Sequence, residues 1–369
     1  MKGQGMRPAD EAEVSDMLRG ASGPFALRGG GTRGALLAGE VLDCAGLTGV
    51  RLYEPAALTL VVAAGTPLAE VEALLAGERQ RLAFEVPDLR AVLGRAGVST
   101  IGGVYAANAS GPRRVQAGAC RDAALGVRFV DGMGAVVKNG GRVMKNVTGY
   151  DLVKLMAGSQ GSLGVITEVS FKVQALPEAE ATLVAGLAPE AGLAALRRAL
   201  GSPYDISGAA HAEGRAAIRI EGMAGSVAYR VAQLRALLGG DWQAVEGAAS
   251  QALWQGIRDL QPLVGKGAAL WRIACVPSEA LCVPNALAAA GVAHEAVFDW
   301  GGGLVWLSCT EGEGGRIRAA LAGRGEATRL MGAEDAPPFS PPAPGLAALQ
   351  TGLKARFDPK GLFNPGGLV

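Results

Sequence analysis

Three glycine-rich stretches carry the clearest chemical signal in this chain. Gly29-Gly30-Gly31-Thr32-Arg33-Gly34 follows the strand-like PFALR. Ser99-Thr100-Ile101-Gly102-Gly103 leads into Ala106-Ala107-Asn108-Ala109-Ser110-Gly111-Pro112-Arg113-Arg114. Lys145-Asn146-Val147-Thr148-Gly149-Tyr150-Asp151-Leu152 leads through a helical VKLMAG into Gly161-Ser162-Leu163-Gly164-Val165-Ile166-Thr167. Consecutive glycines present several backbone N–H groups to one point with no Cβ in the way, and such a nest holds phosphate. The small residues of the second stretch leave room for a flat ring against the backbone. The first run also matches G-x-G-x-x-G, but a Rossmann fingerprint opens a helix and has an acid about 20 residues on. Here Gly39 interrupts and LDCAGLTGV follows at once, so nicotinamide binding is not expected. Asn146-Val147-Thr148 matches a glycosylation sequon, which without an export signal carries no meaning.

Other reactive side chains are sparse. His211 and His294 are the only two histidines, and Cys44, Cys120, Cys275, Cys282 and Cys309 form no C-x-x-C pair. Neither a histidine-rich metal centre nor an iron–sulfur cluster can be assembled from them, and no metal site is expected. The histidines read as structural and Cys120 as a small buried hydrophobe. Arg113 and Arg114, beside the second glycine stretch, could neutralise phosphate or a carboxylate, or could simply form surface salt bridges. Arg272 sits in an apolar strand beside Trp271, where a charge requires a partner. Trp271, Trp300 and Trp306 read first as core residues.

Composition narrows the class. With 35 Lys plus Arg against 34 Asp plus Glu the net charge is +1, which supplies no field for a polyanion, so nucleic acid is not an expected partner. At 49% apolar and 19% charged residues the chain is globular, yet no run approaches a membrane span. The N-terminal MKGQGMRPADEAEVSDMLRG has no apolar core of a secretory signal, and a reducing cytoplasm is expected. Association with a membrane would then come only through partner subunits.

The elements that must position these residues divide the 369-residue chain. Residues 1–178 read as a mixed α+β domain, with strands in ALTLVVAAG, AALGVRFVDGMGAVVKNGG and GVITEVSFKV and a helix in PLAEVEALLAGE. A hairpin is expected at Asp131 to Gly134. Residues 179–331 repeat a β-α-β-β-α order twice, predicting one antiparallel sheet with helices on one face and the other face free to cover something. SQALWQGIRDLQP reads as a linking helix. Residues 332–345 carry five prolines and read as an extended connector, and 346–369 as a helix and tail returning to the first domain.

RGGGTRG, STIGG with ANASGPRR, and MKNVTGYDLVKLMAGSQGSLGVITEV, in that order and with a C-terminal GLFNPGG, resemble the flavoprotein superfamily of vanillyl-alcohol oxidase and p-cresol methylhydroxylase. Within it, ASGPRR, VMKNVTGYDL, LWRIACVPSEA and DWGGGLVWL are most similar to the FAD-binding E subunits of glycolate oxidase. The resemblance implies an α+β fold with a split, two-subdomain FAD-binding domain of the p-cresol methylhydroxylase type and an antiparallel-sheet cap. It implies that Gly29, Gly30, Gly31, Thr32 and Arg33, with Thr100, Ile101, Gly102 and Gly103, hold the FAD pyrophosphate. Asn108, Ala109, Ser110, Gly111 and Arg114 would lie near the isoalloxazine, Gly161, Ser162, Gly164, Val165 and Ile166 along the flavin and ribityl chain, and Asn364 at the cofactor from the tail. FAD would be non-covalent, because Thr32 stands where relatives attach it through histidine. Arg272 and Arg113 are the candidates to face a small 2-hydroxy acid. Partners implied are a metal-site flavoprotein subunit and an iron–sulfur subunit. The rival readings are a self-sufficient FAD-dependent 2-hydroxyacid dehydrogenase and a non-catalytic assembly subunit.

Overall fold

Between residues 25 and 175 the chain lays down β1 (Phe25–Arg28), β2 (Glu40–Asp43), β3 (Val50–Glu54), β4 (Thr59–Ala63), β5 (Gln80–Leu82), β6 (Ala124–Val130), β7 (Val136–Gly140) and β8 (Val165–Ala175). The structure is a computed structural model that describes residues 5–33, 39–142, 149–334 and 337–364. β1 and β2 form a small parallel pair. The larger antiparallel sheet runs β3-β4-β8-β6-β7, with β5 also paired to β8. β4, TLVVA, is buried at every position, its Leu60–Ala63 run being apolar on both faces and Thr59 Oγ1 donating to the Ala57 carbonyl. The expected hairpin joins β6 to β7: Asp131 Oδ1 accepts from the amides of Met133 and Ala135, and Gly134 adopts φ +76°.

Two cores divide this region. Leu60, Val62, Val104, Tyr105, Phe129 and Phe171 pack beneath the large sheet with the helix Leu68–Gly77. Val14, Leu18, Phe25, Leu42, Leu362 and Phe363 pack around the small pair and the helix Glu11–Gly20, whose Asp10 cap accepts from Glu13 N. The first glycine run lies where these two subdomains meet.

From residue 179 follow β9 (Ala179–Gly186), β10 (Gly208–Ala212), β11 (Arg215–Gly222), β12 (Gln243–Glu246), β13 (Ala269–Cys275), β14 (His294–Asp299), β15 (Leu304–Cys309) and β16 (Gly325–Met331). They make one sheet in the order β12-β9-β11-β10-β14-β15-β13-β16, with every pairing antiparallel. The two halves mirror each other across the β10–β14 junction. Helices Pro189–Leu200, Ala224–Leu238, Cys282–Ala289 and Gly314–Leu321 cover one face over Leu183, Ile218, Trp271 and Leu307. The opposite face is not wholly free. The linking helix Gly247–Arg258 lies on it through Trp254 and Ile257, and Leu89, Val92 and Leu93 of the first domain join the same core. The first repeat also gains a fourth strand, β12, too short and exposed to announce itself in the sequence.

The proline-rich stretch runs beside β16, where Ser340 Oγ bonds both polar groups of the Ala327 backbone. The helix Pro344–Phe357 then returns to the first domain: Phe357 stacks at 5.9 Å on Phe129, and Lys354 Nζ donates to the carbonyls of Ser162 and Phe363. Among the described residues no helix is long and apolar enough to cross a membrane.

Candidate functional site

β1 delivers Gly29, Gly30 and Gly31 directly against the backbone of 97–100. A Cβ on Gly30 would overlap the carbonyl oxygen of Val98, one on Gly97 would overlap that of Gly30, and one on Gly29 would stand 2.5 Å from Thr100 Oγ1. Gly31 and Gly97 have φ of +69° and +118°, conformations that glycine adopts without penalty. The two segments thus form a trough that any side chain would fill. None of the amides of Gly29, Gly30, Gly31 and Thr32 donates to an acceptor among the described residues. Beside them opens a cavity of about 910 Å³ walled in part by Arg7, Arg28 and Arg95. Asp43, paired with Arg28 at 3.5 Å, and Glu70 also line it, and amides open beside several guanidinium groups suit a pyrophosphate. Arg33 supports the trough from below, donating to Ser99 Oγ at 2.6 Å and to the Pro87 carbonyl at 2.6 Å, while its buried Nε has no partner. Burial pushes its pKa down to about 10. Gly34 lies outside the described residues.

STIGG is not a loop throughout. Thr100 caps the helix Ile101–Ala106, its Oγ1 accepting from Gly103 N at 3.4 Å. Gly102 faces away from the trough: its amide donates to Ala64 O, and a Cβ there would stand 2.7 Å from Ala64 Cβ. Its missing side chain serves helix packing, which corrects its expected place on the pyrophosphate, and Ile101 is likewise core. Gly103 is the open position, where an added Cβ would meet only Thr100 Oγ1, at 3.2 Å.

Asn108 ends this helix at φ +45°, and its Oδ1 accepts from Arg121 N. Ser110 Oγ donates to Asn108 O and accepts from Cys120 N. Both side chains therefore shape the 108–121 loop, Ala109 packs against the large core, and Gly111 abuts Glu85. Gln160 N bonds Ala106 O, Asn364 Nδ2 donates to Gln160 O, and Leu27 N donates to Asn364 Oδ1. The ends of β1 and of the 101–106 helix, the turn at Gly161 and the tail residue Asn364 thus converge, with Asn364 acting as their pin. Ser162 Oγ bonds Ser159 O, and Gly164, Val165 and Ile166 pack into the two cores as β8 begins. Residues 143–148, including Asn146, lie outside the described residues.

The arginines part company. Arg113 is 3% exposed, and its Nε lies 2.9 Å from Glu221 Oε2 on β11. Arg81 reaches Glu221 Oε1 at 2.6 Å, and Arg219 holds Glu85 at 2.8 Å. Gln174, its amide turned to present oxygen, accepts from Arg81 and Arg113. Arg113 is therefore spent on a buried charge cluster that joins the two domains, which corrects its expected role at a substrate. No sequence motif links these residues; only two charges at alternate positions of β11, Arg219 and Glu221, hint that one strand face is not core. Arg114 and Arg272 instead lie against Trp300, at 4.6 and 5.6 Å from its ring centre. Trp300 belongs to this junction, its Nε1 donating to Gly111 O at 3.1 Å, whereas Trp271 and Trp306 are core. Cys120 is fully buried, and burial pushes its thiol pKa up.

Asp299, the residue before Trp300, is buried, and that burial raises its pKa to about 7, against the opposing bond from Trp300 N. An acid whose folded pKa exceeds its unfolded value near 3.9 favours folding most at low pH, and this contribution is lost as pH rises through 7. Asp299→Asn keeps an oxygen for Trp300 N and is expected to raise stability above pH 7 by on the order of 1–3 kcal/mol, with little gain at pH 4. Urea melts of both proteins at the two pH values check this, and equal stability at pH 8 would refute it.

Comparison with known proteins agrees with this geometry. The family described as FAD binding domain matches residues 5–140. The glycolate oxidase subunit GlcE of Escherichia coli (strain K12) is 35% identical over 347 residues, covering 93% of this chain and 92% of that protein. The glycolate oxidase subunit GlcD of Bacillus subtilis (strain 168) is 41% identical over 88 residues, 24% of this chain and 19% of that one. In fold, alkyldihydroxyacetonephosphate synthase superposes with a TM-score of 0.71 at 16% identity, covering 97% of this chain and 76% of that structure. With likeness to GlcE over 93% of its length, the chain belongs to the family of FAD-binding glycolate oxidase subunits typified by GlcE.

Proposed function

We propose that the chain is the FAD-binding subunit of a multi-subunit glycolate oxidase, acting with a metal-site flavoprotein subunit and an iron–sulfur subunit. The observation that carries this reading is the trough of four amides at Gly29 to Thr32 that have no acceptor among the described residues, set in a chain that resembles GlcE over 93% of its length. Those amides, with Gly103 and the arginines of the adjoining cavity, would hold the FAD pyrophosphate. Asn364 and the Gly161 turn would fix the subdomain junction around it. When bound, FAD supplies the two-electron acceptor for conversion of glycolate to glyoxylate. Thr32 offers no attachment chemistry, so the cofactor is held without a covalent bond.

Among the described residues, neither histidine is placed to take the hydroxyl proton. His211 is buried on β10 with its Nε2 on Leu187 O, and His294 Nδ1 bonds Val292 O. A positioned base contributes about 10²–10⁴-fold, so substrate oxidation would depend on partner subunits. Purified alone, the chain is expected to carry flavin that acid releases, and to show no flavin bleaching on anaerobic mixing with excess glycolate. Rapid bleaching by the chain alone would favour a self-sufficient 2-hydroxyacid dehydrogenase instead. Absence of flavin would overturn the proposal.

A further inference from the structure

Trp300 is pinned at the junction of the two domains. Its Nε1 is held by Gly111 of the first domain, its backbone N by Asp299 Oδ1, and its own backbone adopts φ +54°. One guanidinium from each domain lies against its ring: Arg114 follows the 108–111 loop, and Arg272 rises from β13. Across the sheet Arg272 is paired with Trp306 on β15 and Thr328 on β16, so it occupies the face that carries Trp306 and turns toward the first domain.

Neither arginine has an ion-pair partner or a side-chain hydrogen bond among the described residues. Arg81, Arg113 and Arg219, in the same interdomain zone, all have carboxylates within reach. Burial lowers the Arg272 pKa to about 10, with the charge of Arg114 next in effect; Arg114 is lowered too, by burial and then by Arg121. Two half-buried cations share one aromatic ring with no carboxylate in ion-pair contact, Glu326 and Asp122 acting on Arg272 and Arg114 only from farther off, and so leave a positive site that is not fully compensated. Planar guanidinium forks suit a carboxylate best, and two of them can grip both its oxygens. We propose that Arg114 and Arg272, braced on Trp300, form a binding site for a small carboxylate closed between the two domains. This deepens the glycolate oxidase reading and takes its substrate class, a small 2-hydroxy acid, from it.

The test is calorimetric titration of the full chain, as purified with its flavin, using oxalate, glycolate and inorganic phosphate as probes. Oxalate and glycolate are expected to bind, with oxalate affinity falling at least ~10-fold in Arg272→Gln and in Arg114→Gln, a difference of about 1.4 kcal/mol. Arg272→Lys, which keeps the charge but not the fork, is expected to fall between. Flavin content and melting temperature, read on each variant, separate a lost site from a lost fold, and the two variants perturb different domains. Unchanged oxalate affinity in both variants, tighter binding of phosphate than of oxalate, or no binding by a flavin-loaded chain would overturn the site. Oxalate binding by a chain that carries no flavin would retain the site and overturn the oxidase reading.

Discussion

Gly30→Ala is expected to purify as a folded chain with at least ~10-fold less bound flavin than the parent. The added Cβ would overlap the Val98 carbonyl oxygen, a backbone atom that cannot rotate aside as a flexible side chain could. The 29–33 segment must therefore lift away from 97–100, and the four amides lose their common direction. A nest works only when its N–H groups converge, so the loss falls on phosphate binding first. The stability cost is smaller, on the order of 1–3 kcal/mol, because the trough lies outside both hydrophobic cores. Gly77→Ala is the matched control, since nothing lies within 4 Å of its new Cβ, and it should keep its flavin. The ratio of flavin to protein absorbance, read beside a thermal melt, decides the matter. Full flavin occupancy in Gly30→Ala would show that the trough does not hold the cofactor.

That trough is legible in the sequence because what makes it is the absence of side chains, and a run of glycines displays that absence directly. The cap is legible for a different reason. Strands such as β11, with its alternating IRIE, and β15, a short apolar run, differ in pattern from helices such as Pro189–Leu200, so a repeated order of elements can be read without knowing their pairing. Elsewhere tertiary packing or local bonding outweighs composition. STIGG looks unhelical, yet the Thr100 cap and the fit of Gly102 against Ala64 hold a helix there. The helix Glu11–Gly20 escapes a reading guided by glycines, although Asp10 caps it by accepting from Glu13 N and the Glu13 carboxylate accepts from Ala9 N, an Asp-x-x-Glu signal the sequence does contain. Arg113 differs from its expected role because its partner Glu221 is remote in sequence, and nothing local distinguishes a buried ion-paired arginine from one that faces a ligand.

Glu221→Gln is expected to be the most destabilising single substitution in the interdomain zone. Glu221 is 5% exposed, and its carboxylate faces Arg81, Arg113 and Arg219. Burial opposes its charge, but the three guanidinium groups outweigh burial and hold its pKa down at about 2. Removing the charge leaves three crowded cations with Glu85 as the remaining ion-pair partner and Glu180 farther off, and breaking a buried pair from one side costs about 3–5 kcal/mol. An exposed pair behaves otherwise: Asp16→Asn, which breaks the solvent-facing contact with Arg19, should change stability by less than about 1 kcal/mol. The pH dependence follows the same logic. A carboxylate whose folded pKa is depressed below its unfolded value contributes stability that is fully present above about pH 5 and is lost as pH falls toward 2. The parent chain should therefore weaken on acidification across that window, and Glu221→Gln should lack this part of the loss. Because Arg81 and Arg113 belong to the first domain and Glu221 to the cap, the variant should also melt in two separated steps where the parent melts in one. Urea melts at pH 7 and pH 4, with calorimetry to resolve the steps, measure both effects. Parent-like stability with a single transition would show that the hydrophobic contacts of Leu89, Val92 and Leu93 with the cap, not this cluster, hold the domains together.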